Sequence, residues 1–76
     1  MADMAKALGN TAVLIARKQR SLTQQGLGKR VGLTANDIVR IERYGWIPPL
    51  ATRKRLAAEL RVSADTLFGD GLRAAV

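Results

Sequence analysis

Apolar residues along this chain recur at intervals of three and four rather than two, the spacing that gathers them on one side of an α-helix. Turn-forming residues cut the pattern into short segments at Gly9-Asn10, Ser21, Gly32, Gly45 with Pro48-Pro49, Val62-Ser63, and Gly69 to Gly71. Leu27 and Val31, then Ile38 and Ile41, then Leu56, Ala57 and Leu60 form candidate core stripes; in the first segment the inward stripe is Val13, Ala16 and Arg20. The pattern predicts five helices, over 11–20, 24–31, 35–43, 50–60 and 64–68, and hence an all-α fold.

Side chains at the segment starts support these boundaries. Thr23, Thr34 and Ser63 each precede a periodic run and can accept hydrogen bonds from its first free N–H groups. Thr34-x-x-Asp37 has the spacing of a capping box, with Asp in place of the usual Glu. Pro48 and Pro49 hold the chain extended before the fourth helix. Seventy-six residues suffice for one compact domain, which at this size buries only about 60% of its unfolded surface. The expected organisation is an N-terminal arm over 1–10, the helical domain over 11–68 and a C-terminal tail over 69–76.

Composition narrows the chemistry. There is no cysteine and no histidine, so disulfides, thiolate zinc sites and the commonest general base are all missing. That argues against an enzyme, and no cofactor or metal is expected. Thirteen Lys and Arg against six Asp and Glu give a net charge of +7, which attracts polyanions. The excess is regional: from Met4 to Ala58 the only acids are Asp37 and Glu42. The longest apolar run, Ala12 to Ala16, is far short of the roughly 20 residues a bilayer span needs. Arg17, Lys18 and Arg20 follow it where a secretory signal would have a cleavage site, so the expected location is the cytoplasm.

The stretch from Leu22 to Arg43 carries the functional signal. Two short helices joined by a turn around Gly32 leave the second with one apolar stripe and one basic face, as in a helix-turn-helix. Gly28 supplies a small residue where the two helices would cross. Asn36 and Arg40 lie one helical turn apart on the outer face.

At this point the chain resembles the Cro and phage-repressor type of helix-turn-helix regulator, whose fold is lambda-repressor-like. The resemblance runs through Arg17-Lys18, Leu22-Thr23-Gln24, Gly32, Ile38, Ile41-Glu42-Arg43, Pro48, Leu50, Leu56-Ala57, Leu60 and Val62-Ser63-x-Asp65-x-Leu67. It implies a five-helix domain that binds an inverted-repeat operator in double-stranded DNA as a homodimer and regulates transcription. By the same resemblance Thr34, Ala35, Asn36 and Arg40 read bases, while Thr23 and Gln24 hold the phosphate backbone, with Lys29 and Arg43 as further phosphate candidates. The chemistry fits, since Arg can fork onto guanine O6 and N7 and Asn can pair with adenine N6 and N7. Arg17 and Glu42 match a buried structural ion pair of the family. A dimer seam is expected from Leu67, Phe68, Leu72 and Val76, with Leu14 and Ile15 as alternatives.

Three positions depart from the family pattern. Tyr44 stands where a glycine commonly ends the recognition helix, so the exit turn is expected one residue later, at Gly45. Asp37 puts a negative charge near the groove, where capping is favoured over contact with cytosine. Gly26, inside the second helix, should weaken it by about 0.5 to 1 kcal/mol relative to Ala. Trp46 and Ile47 are expected to pack over the edge of the core, the alternative being contact with the DNA backbone or a partner subunit. A competing function is a protein-interaction module of the same fold that sequesters another regulator without binding operator DNA. A membrane-surface peptide would need one long amphipathic helix, which the glycines and prolines interrupt.

Overall fold

A computed structural model describes residues 9–69. Among them are five helices and no strand: α1 Thr11–Gln19, α2 Gln24–Val31, α3 Ala35–Tyr44, α4 Leu50–Leu60 and α5 Ala64–Phe68. Two ends differ by a residue from the periodicity. Arg20 forms the C-terminal cap of α1 rather than its last turn. In α3 the left-handed backbone that ends the helix falls on Gly45, at φ 70°, so Tyr44 stays helical.

The threonine and serine caps act on the backbone as their positions suggest. Thr23, Thr34 and Ser63 accept from the N–H groups of Gly26, Asp37 and Thr66 respectively. Both halves of the capping box are present, because the Asp37 carboxylate also accepts from the Thr34 N–H at 3.1 Å. The Gly26 position is tight, since a Cβ there would lie 3.0 Å from the Thr23 hydroxyl.

Asn10, assigned from sequence to an arm, is instead fixed to the domain. Its side-chain oxygen caps α1 by accepting from the Val13 N–H, and its amide donates to the Leu67 carbonyl at 2.9 Å. Its own backbone N–H donates to the Glu42 carbonyl, also at 2.9 Å. One residue thus ties the start of α1 to α3 and α5. Residues 1–8 of the predicted arm and the tail from 70 onward lie outside the described residues.

A single core lies between the helices. Val13, Ala16, Leu27, Val31, Ile38, Ile41, Leu56, Ala57, Leu60, Leu67 and Phe68 form it, with Leu22, Leu33, Trp46 and Val62 packed at its edges. The α1 stripe needs correction, because Arg20 is exposed and Arg17 turns inward instead. Arg17 lies four residues after Val13 and so shares its face of α1, and it is buried with an ionic partner. Of the residues expected to form a dimer seam, Leu67 and Phe68 are 4% and 8% exposed and belong to the core of the single chain. Burying a Leu or Phe side chain is worth about 1.5–3 kcal/mol, reason enough for a five-residue helix to fold back. Leu72 and Val76 lie outside the described residues.

The most extensive contact joins α2 and α3, and α4 closes over α2. Close approach depends on Gly28, where a Cβ would meet the Leu33 carbonyl oxygen at 2.6 Å and that of Thr34 at 3.1 Å. Gly32 then turns the chain at φ 78°, and the Leu33 N–H returns to the Gly28 carbonyl at 2.8 Å. The result is a three-residue connection that sets α3 against α2 with its outer edge uncovered. No helix among the described residues is long and apolar enough to cross a membrane.

Candidate nucleic-acid interface

The strong periodicity of α3 separates its two sides. Ile38, Ile41 and Glu42 are buried, whereas Asn36, Arg40, Arg43 and Tyr44 are exposed. Asn36, Arg40 and Arg43 follow one another at spacings of four and three, so they form one outward row. Ala35 is half-buried at its side. Thr34 is exposed, but its hydroxyl oxygen is occupied by the Asp37 N–H at 3.0 Å, which leaves the hydroxyl proton as its free donor. Of the four residues expected to read bases, Asn36 and Arg40 therefore have side chains both exposed and long enough to reach outward.

One flank of this row is an open groove of about 550 Å³ where α1, α2 and α3 meet. Leu14, Arg17, Lys18, Thr23, Gln24, Val39 and Arg43 line it. Thr23, Gln24 and Arg43 were expected to hold phosphate, and they are brought together here. The start of α2 lies at this groove, with Thr23 and Gln24 in its lining; the Gly26 N–H is already capped by Thr23. Lys29, exposed near the other end of α2, is not part of the groove lining.

Beneath the groove runs a buried ionic bridge. The Arg17 guanidinium donates from Nε to Glu42 Oε2 at 2.7 Å and from Nη2 to Oε1 at 3.1 Å, a two-pronged pair between α1 and α3. Arg17 Nη1 also donates to the Leu22 carbonyl at 2.8 Å, fixing the α1 to α2 connection. Gln24 Nε2 donates to Glu42 Oε1 at 3.2 Å. That bond commits one of the two Gln24 amide protons and leaves the other available as a donor. Because the Glu42 carboxylate is neutralised by Arg17, it does not oppose an anion in the groove above it.

The other flank of α3 holds an arrangement that sequence reasoning missed. The Arg40 guanidinium carbon lies 4.6 Å from the centre of the Trp46 ring, within cation–π range. On its other side Arg40 Nη1 is 3.5 Å from Asp37 Oδ1. Trp46 is half-buried against the core, as expected, but Ile47 is 48% exposed. No local pattern announces a contact between residues six apart across a helix end; the displaced exit at Gly45 was its only trace. Lys18 was also missed as a groove residue, although it follows inward-facing Arg17 and so had to point away. No cluster of metal-ligating side chains occurs among the described residues.

Compared with protein-family models, curated proteins and solved structures, the chain finds no match.

Proposed function

We infer that this chain binds double-stranded DNA through a helix-turn-helix formed by α2 and α3 and acts as a small transcriptional regulator, with α3 as the recognition helix. The observation that carries this reading is the outward row of Asn36, Arg40 and Arg43 on a helix whose opposite side is fully buried. Such a row can enter a major groove, where Arg and Asn have distinct base partners. Thr23, Gln24, Lys18 and Arg43 would then meet phosphate, which supplies affinity and register but no sequence information. The excess of positive charge, +7 over the chain, supports the attraction to DNA.

A single helix of this length contacts too few bases to single out an operator in a genome, so the reading includes a homodimer on an inverted repeat. Two recognition helices would then sit about 34 Å apart, one DNA turn. With Leu67 and Phe68 in the core, the exposed large apolar side chains among the described residues are Ile15, Tyr44, Ile47 and Leu50. These are the surfaces a second copy would cover.

Selection of bound fragments from genomic DNA by the purified protein tests the function directly. An inverted repeat with half-sites one turn apart is expected. Salt-sensitive binding with no base preference would remove the regulator reading, and failure to bind duplex at all would favour a module that acts on another protein.

A further inference from the structure

The flank of α3 opposite the phosphate groove contains three side chains whose arrangement goes beyond charge. Arg40 is about half exposed, yet its guanidinium is not loose: Trp46 lies against it at 4.6 Å and Asp37 beside it at 3.5 Å. Each of these neighbours is itself held. The Asp37 carboxylate is anchored through Oδ2 by the Thr34 N–H, which leaves Oδ1 turned toward Arg40. The Trp46 ring packs on the core, and its backbone N–H donates to the carbonyl of Arg40 itself at 3.0 Å. Arg40 and Trp46 are thus joined twice, through the backbone and through the ring. The geometry exists because α3 runs one residue further, to Tyr44, and the left-handed Gly45 folds the chain back.

We propose that Trp46 is a specificity-determining positioning residue, which holds the Arg40 guanidinium ready to present its two-pronged donor edge to guanine in the major groove. This rests on the reading of α3 as the recognition helix. An arginine on a bare helix surface loses rotamer freedom when it binds, and that loss weakens the very contact that distinguishes one base from another. A planar ring under the guanidinium restricts it beforehand and leaves the donor edge free, because stacking uses the face of the group and not its N–H bonds. Asp37 contributes less, since 3.5 Å is at the outer limit of hydrogen bonding and exposed ion pairs are weak. Trp46 therefore governs base preference without touching DNA, and the target it serves is a G·C pair.

Trp46 is the only tryptophan, so its fluorescence reports the contact in the free protein. Arg40→Met should increase quenching of that fluorescence by acrylamide; unchanged quenching would show that the stacked pair does not exist in solution. With DNA, duplexes substituted one base pair at a time locate the position whose preference Arg40→Ala abolishes. Trp46→Leu should reduce preference at that position by about fivefold, the worth of one exposed cation–π contact, with binding to scrambled duplex within about twofold of wild type. Trp46→Tyr keeps an aromatic face and should retain most of the preference, which also decides the matter if the leucine variant does not fold. Equal losses at every base position would mean that Trp46 only supports the fold, and tighter binding by Trp46→Leu with preference intact would mean that the ring holds Arg40 back. Either result overturns the proposal while the DNA-binding reading stands, whereas a wild type without any base preference overturns both.

Discussion

Removing the carboxylate of Glu42 should cost this domain a large share of its stability. The side chains of Arg17 and Glu42 are 9% and 3% exposed, and their two hydrogen bonds measure 2.7 and 3.1 Å. In Glu42→Ala the Arg17 guanidinium stays buried with the Leu22 carbonyl as its remaining acceptor, and Gln24 Nε2 loses its partner. Orphaning one member of a buried pair typically costs about 3–5 kcal/mol, because the remaining charge has neither water nor a counter-charge. A chain of 76 residues has roughly 4–11 kcal/mol in total at the usual stability per residue. At about 4–8 °C per kcal/mol for a domain of this size, the midpoint should fall by at least roughly 12 °C.

Thermal and urea unfolding followed by far-ultraviolet circular dichroism measures the loss, and a double replacement identifies its cause. Arg17→Met with Glu42→Leu removes both charges and keeps much of the volume, so it should recover most of what Glu42→Ala loses. If Glu42→Ala melts within a degree or two of wild type, the bridge carries no net stability. If the double variant is as unstable as the single one, the cost lies in packing and not in an orphaned cation.

Gly28→Ala should destabilise by about 1–3 kcal/mol in the same unfolding assay, although alanine is the better helix former, because its Cβ would meet the backbone carbonyl of Leu33 at 2.6 Å. A gain in stability would show that α2 and α3 can separate at no cost. On DNA, Arg40→Ala should cost about 1–3 kcal/mol on a selected operator and little on scrambled duplex. Arg43 lines the groove between α1, α2 and α3, and Arg43→Ala should weaken both duplexes alike and lower the slope of log K against log salt by about 0.9, the value for one phosphate. Equal, sequence-independent losses from the two changes would reduce Arg40 to a phosphate anchor.

Helix positions were legible in the sequence because two local signals coincided at most boundaries. At α2, α3 and α5 a hydroxyl residue precedes the first periodic apolar position, and in each the hydroxyl accepts from the backbone three residues on. At α1 the same signal stood at Asn10, but the adjacent Gly9 made the pair read as a turn. Its second role, donating to Leu67 from 57 residues away, has no local trace. The fate of Leu67 and Phe68 was hidden for a related reason. An apolar pair in a short helix reads equally well as core or as seam until the place where α5 packs is known, and that place is set by contacts with the neighbouring α4 and with α1, which is distant in sequence.

The candidate site shows the same division between what is local and what is not. The outward row of Asn36, Arg40 and Arg43 follows from helical spacing alone, so it could be read directly. What surrounds the row depends on helix ends and on other helices. Arg17 rather than Arg20 turns inward because a partner for its charge waits on α3, a condition that periodicity of apolar residues cannot register. The two acids of the basic region illustrate the consequence. Both lie on α3, yet Glu42 is neutralised below the groove by Arg17, and Asp37 is divided between the Thr34 N–H and Arg40. An unpaired carboxylate on that helix would repel the phosphates flanking any major groove it entered. Pairing Glu42 with Arg17 removes one of these charges without using a cation of the outward row. Asp37 keeps the cap of α3 and draws on Arg40 only through a weak exposed contact at 3.5 Å, so Arg43 and most of the charge of Arg40 remain available. On the proposed reading, the charge that α3 would present to DNA is therefore set less by the net +7 than by where the fold places its acids.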